Sequence, residues 1–293
     1  MTTTKSIPSP TVAKSPDGSV QINFNIPYEF IEPKRQEVLK EIAQNVEVPG
    51  FRKGKAPLDK AEAAIDANAI LERMLSKILP PLLAETIDKN KLKLAIYPKF
   101  SLIKANKDED WQIRADTCEL PEVDLGDYKK TIAGSLRAKA IWKPGEDKKE
   151  DKQMSREEKE QVAIKTLLES VKITIPKILL DEEVNMRLSK LLERLEKMGL
   201  NLEGYLSSIS KTAESLRTEY EKQAHDAIAL ELILNKVSAS ENVKVEEKEI
   251  EEIIKVSAAD TELGKDLNTP DKKRMVESIL SRRKALDILI ALA

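Results

Sequence analysis

The sequence is poor in the residues that carry chemistry. Its 293 residues include one Cys and one His, and aromatics make up only 4%. One thiol and one imidazole cannot build a zinc cage or a disulfide framework, which excludes a structural metal and an oxidised secreted scaffold. Glycine is scarce, at 9 residues. There is no phosphate-cradling glycine loop, no nucleophile elbow and no metal-binding helix motif. An excess of charge of one sign is lacking too: 49 Lys+Arg stand against 51 Asp+Glu, a net charge of −2. A basic site for nucleic acid must therefore be local. The longest apolar run, residues 285–293, contains Asp287 and falls far short of the roughly 20 residues that span a bilayer. The N-terminal stretch has no apolar h-region of a secretory signal. No catalytic residue, cofactor, metal or membrane contact is expected, and the expected location is cytoplasmic.

What is present is a charge-dense chain with 41% apolar residues, enough to exclude wholesale disorder. Its punctuation is uneven. Twelve of the 14 prolines and nine of the 11 aromatics lie at or before residue 144. The first part is thus mixed and the second helical, a shift that marks a domain boundary. Val20, Ile22, Phe24 and Ile26 alternate with polar residues and predict a half-buried strand. Pro33 suits the first turn of a helix carrying Val38, Leu39, Ile42 and Val46, stopped by Pro49. Residues 58–90 read as one or two helices broken or kinked at Pro80-Pro81. Phe100 and Leu102, then Trp111, Ile113 and Ala115, predict a hairpin around the polar turn 106–110. The predicted fold is an α+β N-terminal domain over residues 1–133. A charged linker follows at 134–154, and then an all-α C-terminal domain of helical hairpins over 155–293. The chain is predominantly helical overall.

In the second part, Ser155-Arg156-Glu157-Glu158 fits a capping box. Leu180, Val184, Leu188, Leu191, Leu195 and Met198 recur at helical spacing, with Gly199 placed to end that helix. A further helix is predicted from Thr212 to Val237. Thr269-Pro270 opens the last one, with Met275, Ile279, Leu286 and Leu289 on its apolar side. His225 lies at the edge of an apolar stripe with no acid or nucleophile partner at a telling spacing, and reads as structural or solvated. Cys118 has the acidic neighbours Asp116 and Glu119, which oppose thiolate formation, and reads as a buried structural thiol.

One segment differs from the rest: Gly50-Phe51-Arg52-Lys53-Gly54-Lys55, between Pro49 and Pro57. Two glycines four apart permit backbone angles closed to other residues, and prolines stiffen the base. Three cations and one Phe stand there without an acid, Glu47 and Asp59 lying just outside. Such a tip suits docking on a surface that offers phosphates or carboxylates beside an apolar recess. The alternative is a basic turn with its Phe folded onto the core.

Residues 50–57 resemble the G-F-R-x-G-K-x-P signature of the trigger factor family. The likeness extends to Leu120-Pro121-Glu122-Val123-Asp124-Leu125-Gly126-Asp127-Tyr128, to Ile175-Pro176-Lys177-Ile178-Leu179-Leu180-Asp181-Glu182-Glu183-Val184, to Gly199-Leu200-Asn201-Leu202-Glu203-Gly204-Tyr205-Leu206, and to Leu230–Val237 and Val245–Ile254. The resemblance implies an ATP-independent chaperone that docks near the polypeptide exit of the large ribosomal subunit. Gly50, Phe51, Arg52, Lys53, Gly54 and Lys55 would then contact a ribosomal protein and adjacent RNA. The helical arms would hold nascent or unfolded chains over a diffuse surface with no single assignable residue. Homodimerisation of the free protein stays open. The family's isomerase domain, of the FK506-binding type, would need about 100 residues. Only a short interval lies between Tyr128 and Ser155, so the resemblance implies a form lacking it and no enzymatic activity. The alternatives are a prolyl isomerase with a degenerate domain, or a helical scaffold that binds RNA or protein.

Overall fold

The structure, a computed structural model, describes residues 8–106, 109–140, 154–260 and 269–292. These divide into two compact units: Met1–Leu120 with Pro176–Leu179, and Pro121–Ile175 with Leu180–Ala293.

The first unit is built on β1 (Thr11–Lys14), β2 (Ser19–Ile26), β3 (Lys99–Lys104) and β4 (Trp111–Cys118), antiparallel in the order β1-β2-β4-β3. Alternation sets the register. Ile22, Phe24 and Ile26 face Ala115, Ile113 and Trp111 across β2 and β4, and all six are buried. Phe100 and Leu102 pair with Ala115 and Ile113, the hairpin that the spacing predicts. A register shift between Leu102 and Lys104 leaves Ile103 outside the pairing, 56% exposed. β1 has no sequence signal of its own, because four residues are too few to show a period.

α1 (Tyr28–Ala43), α2 (Leu58–Ala64) and α3 (Ala67–Asn90) complete the unit: α1 and α3 pack with the sheet, and α2 packs against α1. Three expectations need correction here. Pro27, not Pro33, stands at the N-cap of α1, and Pro33 lies inside the helix. The same helix ends at Ala43, short of Val46 and Pro49. α3 runs unbroken through Pro80 and Pro81, and the break falls at Asp66, whose side chain accepts from the amide of Asn68. A proline inside a helix costs roughly 3 kcal/mol, but Ile78, Leu79, Leu82 and Leu83 are buried around the pair, and that burial offsets the cost.

The second unit holds α4 (Tyr128–Ala140), α5 (Arg156–Ser170), α6 (Lys177–Lys197), α7 (Leu202–Ser208), α8 (Ala213–Ser240), α9 (Glu247–Asp260) and α10 (Pro270–Ile290). Its core joins Ile132 and Leu136 of α4, Ala163 and Leu167 of α5, Ile233 and Val237 of α8, and Ala285 and Leu289 of α10. The capping box at Ser155 and Glu158 forms as its residues predict. α6 closes with Leu200 N–H donating to the Leu195 carbonyl at 2.9 Å and Gly199 N–H to that of Glu196 at 3.0 Å.

α4 corrects the linker reading, since residues 134–140 are helical and only 141–153 lie outside the described residues. The compact second unit accordingly begins at Pro121, not at residue 134. Burial decides this: Tyr128, Ile132 and Leu136 recur every four residues and are 8%, 0% and 1% exposed. Tyr128 Oη also donates to Glu241 at 2.6 Å, and Lys129 pairs with that carboxylate at 2.7 Å. Hydrogen bonding from Lys129, then from Tyr128, holds the Glu241 carboxyl below its ordinary range.

Candidate functional site

The loop between α1 and α2 is two consecutive tight turns. Phe51 N–H donates to the Val48 carbonyl at 3.0 Å, and Lys55 N–H to the Arg52 carbonyl at 2.9 Å. Gly50 and Gly54 sit at the third position of each turn with φ of 84° and 74°, the left-handed angles a type II turn requires, and Pro49 fills the second position of the first turn. The two glycines are not equivalent. A Cβ on Gly50 would meet open space, whereas one on Gly54 would lie 2.9 Å from the Gln44 carbonyl oxygen at the end of α1. Gly54→Ala is therefore expected to destabilise the first unit by about 1–3 kcal/mol, and Gly50→Ala by less. Urea melts of the two variants check the order.

The turns present four side chains to solvent. Phe51 is 44% exposed, and Arg52, Lys53 and Lys55 are exposed. Elsewhere in this unit Lys14, Lys34, Arg35, Lys77, Lys89 and Lys104 each pair with a carboxylate. None of the three loop cations has such a partner among the described residues. The structure thus brings the residues of the 50–55 motif together on one tip, with the aromatic ring only half-buried and the charge uncompensated.

The chain's one thiol and one imidazole lie outside this tip. Cys118 is fully buried, and burial, with the Asp17 carboxylate second, pushes its thiol up to about 11. The acid that acts on it is Asp17 of the β1–β2 turn, not the sequence neighbours Asp116 and Glu119. His225 is exposed, with Nδ1 3.4 Å from the Asp226 carboxylate.

Sequence reasoning missed a second feature. In α6 only Val184 and Leu195 of the six-residue stripe are buried, Leu180, Leu188 and Leu191 are half-buried and Met198 is 62% exposed, and Met186, Leu192 and Leu200 are exposed elsewhere on this segment. On α10, Met275 and Ile279 are likewise exposed. Helical period locates an apolar face but does not say whether a neighbour covers it. The available signal was methionine, which suits adaptable contacts.

Two family models match this chain: "Bacterial trigger factor protein (TF)" over residues 9–141 and "Bacterial trigger factor protein (TF) C-terminus" over residues 145–291. The chain belongs to the trigger factor family. The trigger factor of Corynebacterium diphtheriae is 29% identical over 118 residues, which is 40% of this chain and 26% of that protein. That of Nocardia farcinica is 31% identical over 118 residues, 40% of this chain and 25% of that protein. The match thus covers about a quarter of the length of these trigger factors. A solved trigger factor chaperone, from work on promiscuous substrate recognition in folding and assembly, shares the fold with a TM-score of 0.61. It is 17% identical, with 96% of this chain and 99% of that one aligned. The two family models leave only residues 142–144 between them, and α4 ends at Ala140 while α5 starts at Arg156. A separate isomerase domain of about 100 residues does not fit in that interval.

Proposed function

We propose that this chain is a ribosome-associated, ATP-independent chaperone of the cytoplasm. It docks on the large subunit near the polypeptide exit and shields nascent or unfolded chains. The observation that carries this reading is the α1–α2 tip: a half-exposed Phe51 flanked by Arg52, Lys53 and Lys55, none of them paired with a carboxylate among the described residues, on a backbone fixed by two turns. A rigid apolar anchor beside unpaired cations suits a protein recess bordered by RNA phosphate, and the fixed backbone lowers the ordering cost of binding. Exposed apolar residues on α6 and α10 support client contact, because many weak apolar contacts accept varied sequences.

The test is the salt dependence of co-sedimentation with ribosomes. If the loop cations meet phosphates, affinity falls linearly in log–log form as salt rises. Replacing Arg52, Lys53 or Lys55 singly by Ala should then reduce the slope by about 1. A slope unchanged in all three variants would exclude phosphate as their partner. We also propose that the chain is not a prolyl isomerase. Proline-limited refolding of a test protein should respond only to stoichiometric amounts, and acceleration at catalytic amounts would establish the enzyme reading instead.

A further inference from the structure

In the second unit, α8 and α10 share a core through Ile233, Val237 and Leu289. Beyond these residues the two helices bring small side chains together: Ser238 and Ala239 on α8, Ser278 and Ser281 on α10. A groove of about 500 Å³ remains there, lined also by Lys244 of the turn after α8 and by Arg274 of α10.

The lining is rich in donors. Ser238 is buried, at 7% exposed, and its hydroxyl pairs with that of Ser281. Two hydroxyls carry two protons, and their mutual bond uses one. A helical hydroxyl often spends its proton on a carbonyl one turn back, as Thr86 does on Leu82 and Ser76 on Glu72. Neither Ser238 nor Ser281 makes such a bond among the described residues, so one proton of the pair is left for a ligand. The Ser278 hydroxyl and the side-chain amides of Asn235 and Asn242 line the same groove, and none of them has a partner among the described residues. Lys244 has no carboxylate partner there either, and Arg274 reaches Asp271 only at 3.8 Å. Against these two cations the lining holds one carboxylate, Glu277.

We propose that this groove binds the phosphate monoester of a small polyhydroxylated compound. Lys244, Arg274 and the spare serine proton hold the phosphate, since charge-assisted donors arriving from several elements suit a tetrahedral oxyanion. Glu277 accepts from the compound's hydroxyls, and the amides of Asn235 and Asn242 both donate to them and accept from them. The groove is larger than a bare phosphate needs, and it has no aromatic ring on which a nucleobase would stack. A small polar ligand in the second unit is a function apart from ribosome docking and from apolar client contact.

Isothermal titration of the full chain in phosphate-free buffer tests the site, with glycerol 3-phosphate as the probe. It should bind saturably at one site per chain, at least tenfold more tightly than inorganic phosphate, while glycerol alone gives no binding heat. Lys244→Ala and Arg274→Ala should each weaken the probe about tenfold, the loss of one hydrogen bond to a charged group. Both side chains are exposed, and Lys284 Nζ donates to the Lys244 backbone carbonyl at 3.0 Å, which the substitution leaves in place. Glu277→Gln should tighten inorganic phosphate by removing the one repelling charge. Ala239→Leu, at an exposed position in the lining, should fill the groove and abolish binding with the melting temperature of the free protein unchanged. The absence of saturable heat, or binding indifferent to Ala239→Leu or to both cation variants, would overturn the proposal. Inorganic phosphate binding as tightly as the probe would overturn it too. So would a single-stranded RNA that displaces the probe and binds more tightly, which would make the groove a nucleic-acid surface.

Discussion

Replacing Phe51, Arg52 and Lys53 together by Ala is expected to weaken association with ribosomes at least 100-fold, with the far-UV spectrum and melting temperature essentially unchanged. The magnitude follows from the tip's geometry. Truncating a central aromatic anchor commonly costs about 2 kcal/mol or more. Each lost contact from a cation to phosphate adds to that, and about 2.7 kcal/mol in total already gives 100-fold. The fold should be untouched, because the three side chains are exposed and the cations make no ion pair among the described residues. The turns are held by backbone hydrogen bonds and by Gly50 and Gly54, which the substitutions leave in place. Quantitative pelleting at one fixed salt concentration checks the result. A loss below threefold would remove the tip from the docking surface.

Leu136→Ala is expected to destabilise the second unit by about 2–5 kcal/mol, as truncation of a fully packed core leucine does. Leu136 is 1% exposed and shares a cluster with Ile132, Leu167, Ile233 and Leu289. A charged linker, as composition suggests for residues 134–154, would tolerate the same change within about 0.5 kcal/mol. Urea unfolding followed by circular dichroism therefore discriminates directly between α4 as core and α4 as connection. The result also bears on how the two family segments join. α4 and α5 share one core, so the helices on both sides of residues 141–155 are fixed in it.

The parts legible in the sequence are those whose period or chemistry is local. β2 and β4 alternate over eight residues each, and Ser155 with Glu158 carries its own capping logic. The tip was readable for a related reason: left-handed turn angles need glycine at fixed positions, and Gly50 and Gly54 supply them. The illegible parts depend on partners distant in sequence. Pro80 and Pro81 signal a break that burial on both sides overrides. α4 has the 128, 132, 136 spacing, but polar neighbours and the Pro144-Gly145 pair mask it. The α6 stripe shows the opposite error. Its period is clear, yet only Val184 and Leu195 are buried and Met198 is exposed, because no local rule reveals how far a neighbour covers the face. A cavity lined by Ile31, Ile65, Leu71 and Trp111 is illegible for the same reason, since segments distant in sequence supply its walls.

The most direct test of the central claim places a photo-crosslinking residue at position 51 and, as control, at Tyr97, which is 70% exposed in the same unit. After irradiation with purified ribosomes, position 51 should crosslink to a protein or RNA of the large subunit, and position 97 should not. Crosslinking from position 97 with none from position 51 would contradict docking through the α1–α2 tip.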